Sequence, residues 1–386
     1  MNVGLNVIGF LPGGFGGTET YFRNLLHYVQ EIDHENNFTL LCDVQNVREF
    51  PLFNTAFKTK SYNFAKPSLN WLVRGLLRAT MDIDILCPKI ARACIDVIHH
   101  PFTVVNPKGL KIPSVLTFHD MQEEFYPHFF TASELRRRKA TYKASVKEAT
   151  RIIAISEYTR QCLVEKYGTN NDKIDVVYEG CGPEFRVLNN PEDAEKIKSK
   201  YNLKRPFLYY PATTWPHKNH KTLLLALKLM KERYHFDGEL VFTSIVGRPG
   251  SEILKEIERL GLGNMVNVLG HIPYAELPYL YNVARLMVFP SLFEGFGIPL
   301  VEAMACGCPV VCSNATSIPE VVGDAGVLFN PISPEEMAEA IWSVWSDDER
   351  RQKMRLMGLD RVRFFNWEYA AKQTVEVYKK AVDFFH

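Results

Sequence analysis

Short apolar runs alternate with amphipathic stretches along the whole chain. Runs at 3–10, 38–44, 95–99, 114–118, 152–155 and 174–178 have the length and content of buried strands. Between the first two, Tyr21, Phe22, Leu25, Leu26 and Val29 recur at helical spacing and predict a helix with one apolar stripe. The second half repeats the logic. Strands are predicted at 207–211, 240–246, 266–269, 286–289, 310–312 and 327–329, and helices at 221–233, 253–260, 275–284, 300–305 and 334–345. Alternation of this kind predicts an α/β protein with two doubly wound, Rossmann-like parallel sheets, each covered by helices on both faces. The charged stretch 182–205, opening on Gly182 and Pro183, sets the boundary between a first domain over 1–183 and a second over 184–365. Two such sheets facing each other would share one cleft beyond the carboxyl ends of their strands.

Composition narrows the classes. The 386 residues are 46% hydrophobic and 23% charged with a net charge of +1, so nothing in the bulk electrostatics calls for a nucleic-acid partner. No run approaches the apolar length of a membrane span, and residues 1–11 read as a first strand rather than a signal peptide. The eight cysteines have no framework spacing, which suits a soluble, cytoplasmic protein using Cys as a small core residue. Cys306, Cys308 and Cys312 straddle a turn with no His nearby and are expected in the core, not around a metal.

The richest chemistry lies between Phe289 and Pro331. A strand ends near Pro290, a loop carries Glu294, Gly295, Phe296 and Gly297, and Pro299 opens a helix. The N–H groups of Gly297, Ile298, Leu300 and Val301 are then expected to point out of the helix start, where the dipole favours a diphosphate. Glu302 is placed in the first turn, so two carboxylates, acceptors for sugar and ribose hydroxyls, face one region. Taken singly, either Glu is better explained as a dipole partner or a solvated loop residue. The full Glu-Gly-Phe-Gly-x-Pro-x-x-Glu run reads as functional. Lys218 follows a strand and a Pro216 turn, and Asn219 is positioned to cap the next helix. His119 stands at the carboxyl end of a strand, followed by Asp120. Gly13, Gly14, Gly16 and Gly17 form a flexible loop, but Glu19 occupies the third glycine position of a dinucleotide fingerprint, so NAD is not expected.

The Glu294–Glu302 spacing within FEGFGIPLVEAMACGCPVV, followed by SIPEVVGDAG, resembles the signature of glycosyltransferase family 4, retaining enzymes of the GT-B fold. The likeness extends over nearly the whole chain: Gly13–Gly17 with Glu19, the stretch Thr117 to Asp120, Ile155 to Glu157, Lys218 with Asn219, and the terminal segment with Trp367. It implies two facing domains, with a terminal helix over 366–386 crossing back to the first. It implies that Glu294 contacts the transferred sugar, Glu302 the nucleotide ribose, and Lys218 the leaving diphosphate. It also places His119 at the sugar and Gly16 and Gly17 beneath the diphosphate, with Phe296 and the helix start completing the donor site. The family often has Arg six residues before this Lys and immediately before it. Here Ala212 and His217 stand in those places, removing positive charge from the phosphate site.

The expected reaction therefore moves a hexosyl group, mannose favoured, from a GDP- or UDP-linked donor to a glycan or lipid-linked acceptor. No metal or other cofactor is expected: Asp82-Ile83-Asp84 has the look of a metal-binding pair but sits in a helix-like run, where capping or solvation is the better explanation. Three rivals stand beside it: a glycoside hydrolase using the two Glu residues, a sugar phosphorylase of similar architecture, and a non-catalytic nucleotide-sugar-binding subunit. Two positive patches, Arg74 and Arg78 among Trp71, Leu72, Leu76 and Leu77, and the helix with Arg136–Lys139, Lys143 and Lys147, are candidates for peripheral contact with the inner membrane face. A solvated helix face is the commoner use of such patches. The sequence leaves the oligomeric state open.

Overall fold

The computed structural model describes residues 1–13, 16–64, 68–81, 83–244 and 247–385. The chain divides into two units, Met1–Glu179 together with Trp367–His386, and Gly180–Asn366.

The first unit is built on strands β1 (Asn2–Asn6), β2 (Asn37–Asp43), β3 (Phe57–Tyr62), β4 (Val97–His100), β5 (Ser114–Phe118), β6 (Arg151–Ala154) and β7 (Ile174–Val176). They form one sheet in the order β3-β2-β1-β4-β5-β6-β7, every neighbouring pair parallel. The expected first strand is shorter than its apolar run. β1 stops at Asn6, the chain turns through Gly9 at φ +88, and Phe10 folds back to bury its ring. β3 has no counterpart in the sequence reading. Its FKTKSY is too polar for a buried strand because it is the sheet's edge, burying only Phe57 and Tyr62 and leaving two lysines to guard the open side. Helix α1 (Gly17–Ile32) buries Tyr21, Phe22, Leu25, Leu26 and Val29, the stripe its periodicity predicts. Helix α2 (Leu69–Met81) follows β3.

The terminal helix Trp367–Phe385 belongs to this first unit. Trp367 packs against Tyr21 at 5.7 Å between ring centroids, and the Tyr378 hydroxyl meets His99 Nδ1 at 2.8 Å. His99 Nε2 meets Thr117 Oγ1 at 2.8 Å, and Thr117 meets the Tyr21 hydroxyl at 3.0 Å. Burial pushes His99 down to about 3, so this wholly interior relay is held by a neutral imidazole.

The second unit holds β8 (Phe207–Pro211), β9 (Glu239–Thr243), β10 (Val266–Val268), β11 (Leu286–Phe289), β12 (Val310–Ser313) and β13 (Gly326–Phe329). Their order is β10-β9-β8-β11-β12-β13, again all parallel. β9 ends at Thr243, and the last residues of the strand expected over 240–246, Ile245 and Val246, lie outside the described residues. Cys306, Cys308 and Cys312 are buried apolar packing. In both sheets the order reverses once, between β1 and β4 and between β8 and β11. Crevices beyond the strand ends at such reversals are where open α/β sheets bind ligands.

Candidate active site

In the second unit the reversal between β8 and β11 brings the two best candidate side chains together. β8 ends at Pro211, and the turn Pro216–Lys218 is anchored by Leu292, whose N–H donates to the His217 carbonyl at 2.7 Å. Lys218 Nζ donates to Glu294 Oε1 at 2.6 Å, both side chains largely shielded from solvent. Burial alone would lift the Glu294 carboxyl. The charge of Lys218 and hydrogen bonds from Lys218 and Ser291 outweigh it and hold the group below the ordinary range. The loop is fixed from beneath by the segment after β12: Glu294 N–H donates to Thr316 Oγ1 at 3.1 Å, and the Ser317 hydroxyl reaches the carbonyls of Glu294 at 3.0 Å and Phe296 at 3.1 Å. Thr316 and Ser317 are site residues that the sequence reading missed. Ser317 opens the quoted SIPE stretch and Thr316 precedes it, but nothing in their spacing says that they hold a loop over twenty residues upstream.

Asn219 does not cap its helix as expected. It occupies the N-cap position of His220–Tyr234 in the left-handed region at φ +60, with no side-chain cap bond. Its amide instead donates to the carbonyls of Pro290 at 3.1 Å and Pro331 at 2.7 Å, tying three loops together. His217, in the place of an Arg, does not restore the missing charge: burial, then repulsion from Lys218, pushes it down to about 4. The second absent Arg is Ala212, which is buried.

The helix start differs from expectation in three details. The helix Ile298–Ala305 begins one residue before Pro299, after Gly297 at φ +101, a left-handed cap for which glycine is the unstrained choice. The Leu300 N–H closes onto the Gly297 carbonyl at 2.9 Å, and the regular helix ladder begins at Val301, so those two amides are spent internally. Their side chains are wholly buried, and the N–H groups of Gly297 and Ile298 are the ones at this helix start left without a backbone bond among the described residues. Glu302 lies beyond the first turn, accepts from the Tyr281 hydroxyl at 2.9 Å, and is 6% exposed. Burial pushes its carboxyl up to about 7, the Tyr281 bond pulling it down and the charge of Glu184 adding to the rise. Glu294 and Glu302 therefore sit in opposite electrostatic settings. Phe296 is buried, its ring 5.5 Å from that of Phe365 in a T-shaped pair.

In the first unit, Gly16 caps α1 at φ +52, ψ −127, and Gly17 is the first helical residue. Glu19 braces this loop by accepting from Gly13 N–H at 2.9 Å and pairing with Arg23 at 2.8 Å, while a side chain at Gly16 or Gly17 would meet open space. Gly14 lies outside the described residues. His119 follows β5, nearly buried, with Nε2 2.8 Å from the Pro101 carbonyl. A carbonyl only accepts, so Nε2 carries the proton and Nδ1 is the lone acceptor, 3.9 Å from Glu179 Oε1. Burial lowers His119 to about 4, against the pull of the Pro101 bond, so the imidazole is neutral at pH 7. Asp84 takes both oxygens to Arg74 at 2.7 Å and also accepts from Leu86 N–H at 3.0 Å, a capping role, while Asp82 lies outside the described residues.

Comparison with known proteins agrees with this arrangement. Residues 15–185 match the family model Glycosyltransferase Family 4, and residues 191–358 match Glycosyl transferases group 1. The chain is 32% identical to O-antigen chain mannosyltransferase B of Escherichia coli, over 74% of each chain. It is 30% identical over 236 residues to the serotype-specific mannosyltransferase WbdA of Escherichia coli, and there it spans 29% of the longer protein. Among solved structures, sucrose-phosphate synthase of Thermosynechococcus elongatus superimposes with a TM-score of 0.76 at 20% identity, over 98% of both chains. The Anabaena HepE complex with UDP-glucose does so with a TM-score of 0.73 at 19% identity, over 98% of this chain and 100% of that one. At these identities the structures establish the fold.

Proposed function

This chain belongs to glycosyltransferase family 4, and from that premise we propose that it transfers a hexosyl group, mannose favoured, from a nucleoside-diphosphate sugar to a hydroxyl of a glycan or lipid-linked acceptor, with retention at the anomeric carbon. The observation that carries the reading is the Lys218–Glu294 pair at 2.6 Å, set beside the glycine-capped helix start at the switch point of the second sheet. Departure of the diphosphate leaves negative charge that Lys218 and the amides of Gly297 and Ile298 meet with preorganised dipoles and a cation. Glu294, kept ionised, accepts from sugar hydroxyls and orients the ring; Glu302 takes the ribose once its proton is lost. Neutral His119 offers Nδ1 as an acceptor to a sugar hydroxyl, which is a positioning role rather than stabilisation by charge. With His217 neutral and Ala212 apolar, the phosphate rests on Lys218 and the helix start, and the reading requires no metal. Mannose is favoured because the O-antigen relative is a mannosyltransferase over three quarters of both lengths.

The same reading places the enzyme in the cytoplasm at the inner membrane face, with α2 as the contact. No described helix is long and apolar enough to cross a membrane. α2 nonetheless exposes Leu69, Leu72, Val73 and Leu76. Thermal stabilisation by a panel of GDP, UDP, ADP and dTDP sugars, followed by transfer assays with the donor that stabilises most, tests the assignment. GDP-mannose is expected to give the largest shift and EDTA to leave turnover intact. Stabilisation by none, or turnover only with inorganic phosphate as acceptor, overturns it.

A further inference from the structure

Three contacts fix His119. Its main-chain N–H donates to Thr103 Oγ1 at 3.3 Å. Thr103, at φ +61, donates its own N–H to the Thr117 carbonyl at 3.0 Å, so one residue clamps the end of β5. The imidazole Nε2 spends its proton on the Pro101 carbonyl at 2.8 Å. One hydrogen bond does not settle an imidazole, because rotation about its last torsion is soft and roughly two-fold. A ring that turns over exchanges nitrogen for carbon and carries Nδ1 away from what it faced. The third contact opposes that rotation: the Tyr21 ring meets the imidazole edge-to-face, with 4.9 Å between centroids and 84° between planes.

Tyr21 is itself held from several sides. It lies early in α1, the helix that Gly16 caps, and is 2% exposed. Its hydroxyl meets Thr117 Oγ1 at 3.0 Å, and its ring packs on Trp367 at 5.7 Å. Thr117 stands two residues before His119, and its bond to His99 continues to the Tyr378 hydroxyl on the terminal helix. A leucine would complete the apolar stripe of α1 equally well. The hydroxyl bond and the perpendicular ring are features that a stripe does not need.

Resting on the transferase reading above, we propose that Tyr21 is a positioning residue of the reaction: its ring, pinned by Thr117 and Trp367, holds the His119 imidazole in the one orientation that turns Nδ1 to the transferred sugar. The helix after the glycine loop carries Tyr21 and the terminal helix braces it, so both act on one imidazole.

Long-range proton–nitrogen NMR of the full chain with nitrogen-15-labelled histidine tests this, the His119 signals being those absent from His119→Gln. The wild type is expected to show one neutral form at pH 7, protonated at Nε2 and bare at Nδ1. Tyr21→Leu is expected to bring in the second tautomer while keeping a cooperative melt, and Tyr21→Phe to restore the wild-type pattern. Tyr21→Met, closer in volume, takes the place of Tyr21→Leu if that variant does not fold. Calorimetric titration gives the functional readout, with GDP-mannose as donor unless the thermal panel selects another. Tyr21→Leu is expected to lose at least tenfold in affinity for the donor and less than threefold for its free nucleoside diphosphate. In a His119→Gln background the same change should cost the donor less than threefold further. A wild-type imidazole protonated at Nδ1, an unchanged imidazole in the leucine variant, equal losses for donor and nucleoside diphosphate, or additive losses in the double variant each overturn the proposal. A wild type that binds no nucleoside diphosphate sugar removes the transferase reading instead, and the imidazole signals then judge Tyr21 by themselves.

Discussion

Lys218 and Glu294 show what a pair does that neither member does alone. Removing the cation leaves a shielded carboxylate uncompensated, a change that costs on the order of 3–5 kcal/mol in buried pairs. Lys218→Met is therefore expected to lower both turnover and melting temperature. The double variant Lys218→Met, Glu294→Gln should recover most of the melting temperature but none of the turnover. A double variant that transfers sugar at the wild-type rate would remove both residues from the reaction. Glu302 supplies the contrasting case. Its folded carboxyl sits at about 7, so between its unfolded value near 4.5 and 7 the native state holds the proton more tightly. Stability contributed this way is present at low pH and lost as pH climbs through that window. Glu302→Gln is thus expected to melt higher than the wild type at pH 8, with the gap closing at pH 4.5. Nucleoside diphosphate affinity of the wild type should rise from pH 6 to pH 8, since the ribose requires the deprotonated form. A flat profile argues against ribose contact. The spacing of the two Glu residues was legible in the sequence. Their opposite electrostatics were not, because Lys218 lies 76 residues from Glu294 and Tyr281 lies 21 from Glu302.

At the scale of elements, the strands readable in advance were those buried on both faces, whose apolar runs are nearly continuous. The edge strand Phe57–Tyr62 escaped because exposure makes its composition that of a loop. The helix after Gly297 was legible as a helix. Which of its amides point outward was not, since that depends on a tight first turn set by one left-handed residue. For α2 the apolar and basic positions could be read from the sequence, but which face looks out could not. A stripe of leucines ordinarily points inward; here Leu69, Leu72 and Leu76 are exposed and it is Arg74, paired with Asp84, that is buried. Leu72→Glu with Leu76→Glu is expected to abolish sedimentation with vesicles containing anionic lipid and to change stability by less than about 1 kcal/mol, as suits exposed positions. Unaltered sedimentation would dismiss α2 as the contact.

At the scale of the molecule, the terminal helix Trp367–Phe385 makes the first unit discontinuous in sequence. The relay from Tyr378 through His99 and Thr117 to Tyr21 shows how deeply the return segment is built in. Truncation before Trp367 is expected to expose Tyr21 and to unfold the first unit, seen as loss of its cooperative transition in calorimetry. A truncated chain with two intact transitions would show the helix to be an appendage.

The two places where the chain leaves and re-enters that first unit are neighbours. Cys181 pairs with Asn366 as an isolated parallel bridge, and the Cys181 N–H donates to the Phe365 carbonyl at 3.0 Å. In engineering terms, Gly180–Asn366 is a cassette inserted into a host whose severed ends lie side by side. A gene fusing Glu179 to Trp367 through a few glycines needs to bridge one strand spacing and an offset of about three residues, on the order of 10 Å. Its product should fold by itself, handing the experimenter the first unit as a single short polypeptide.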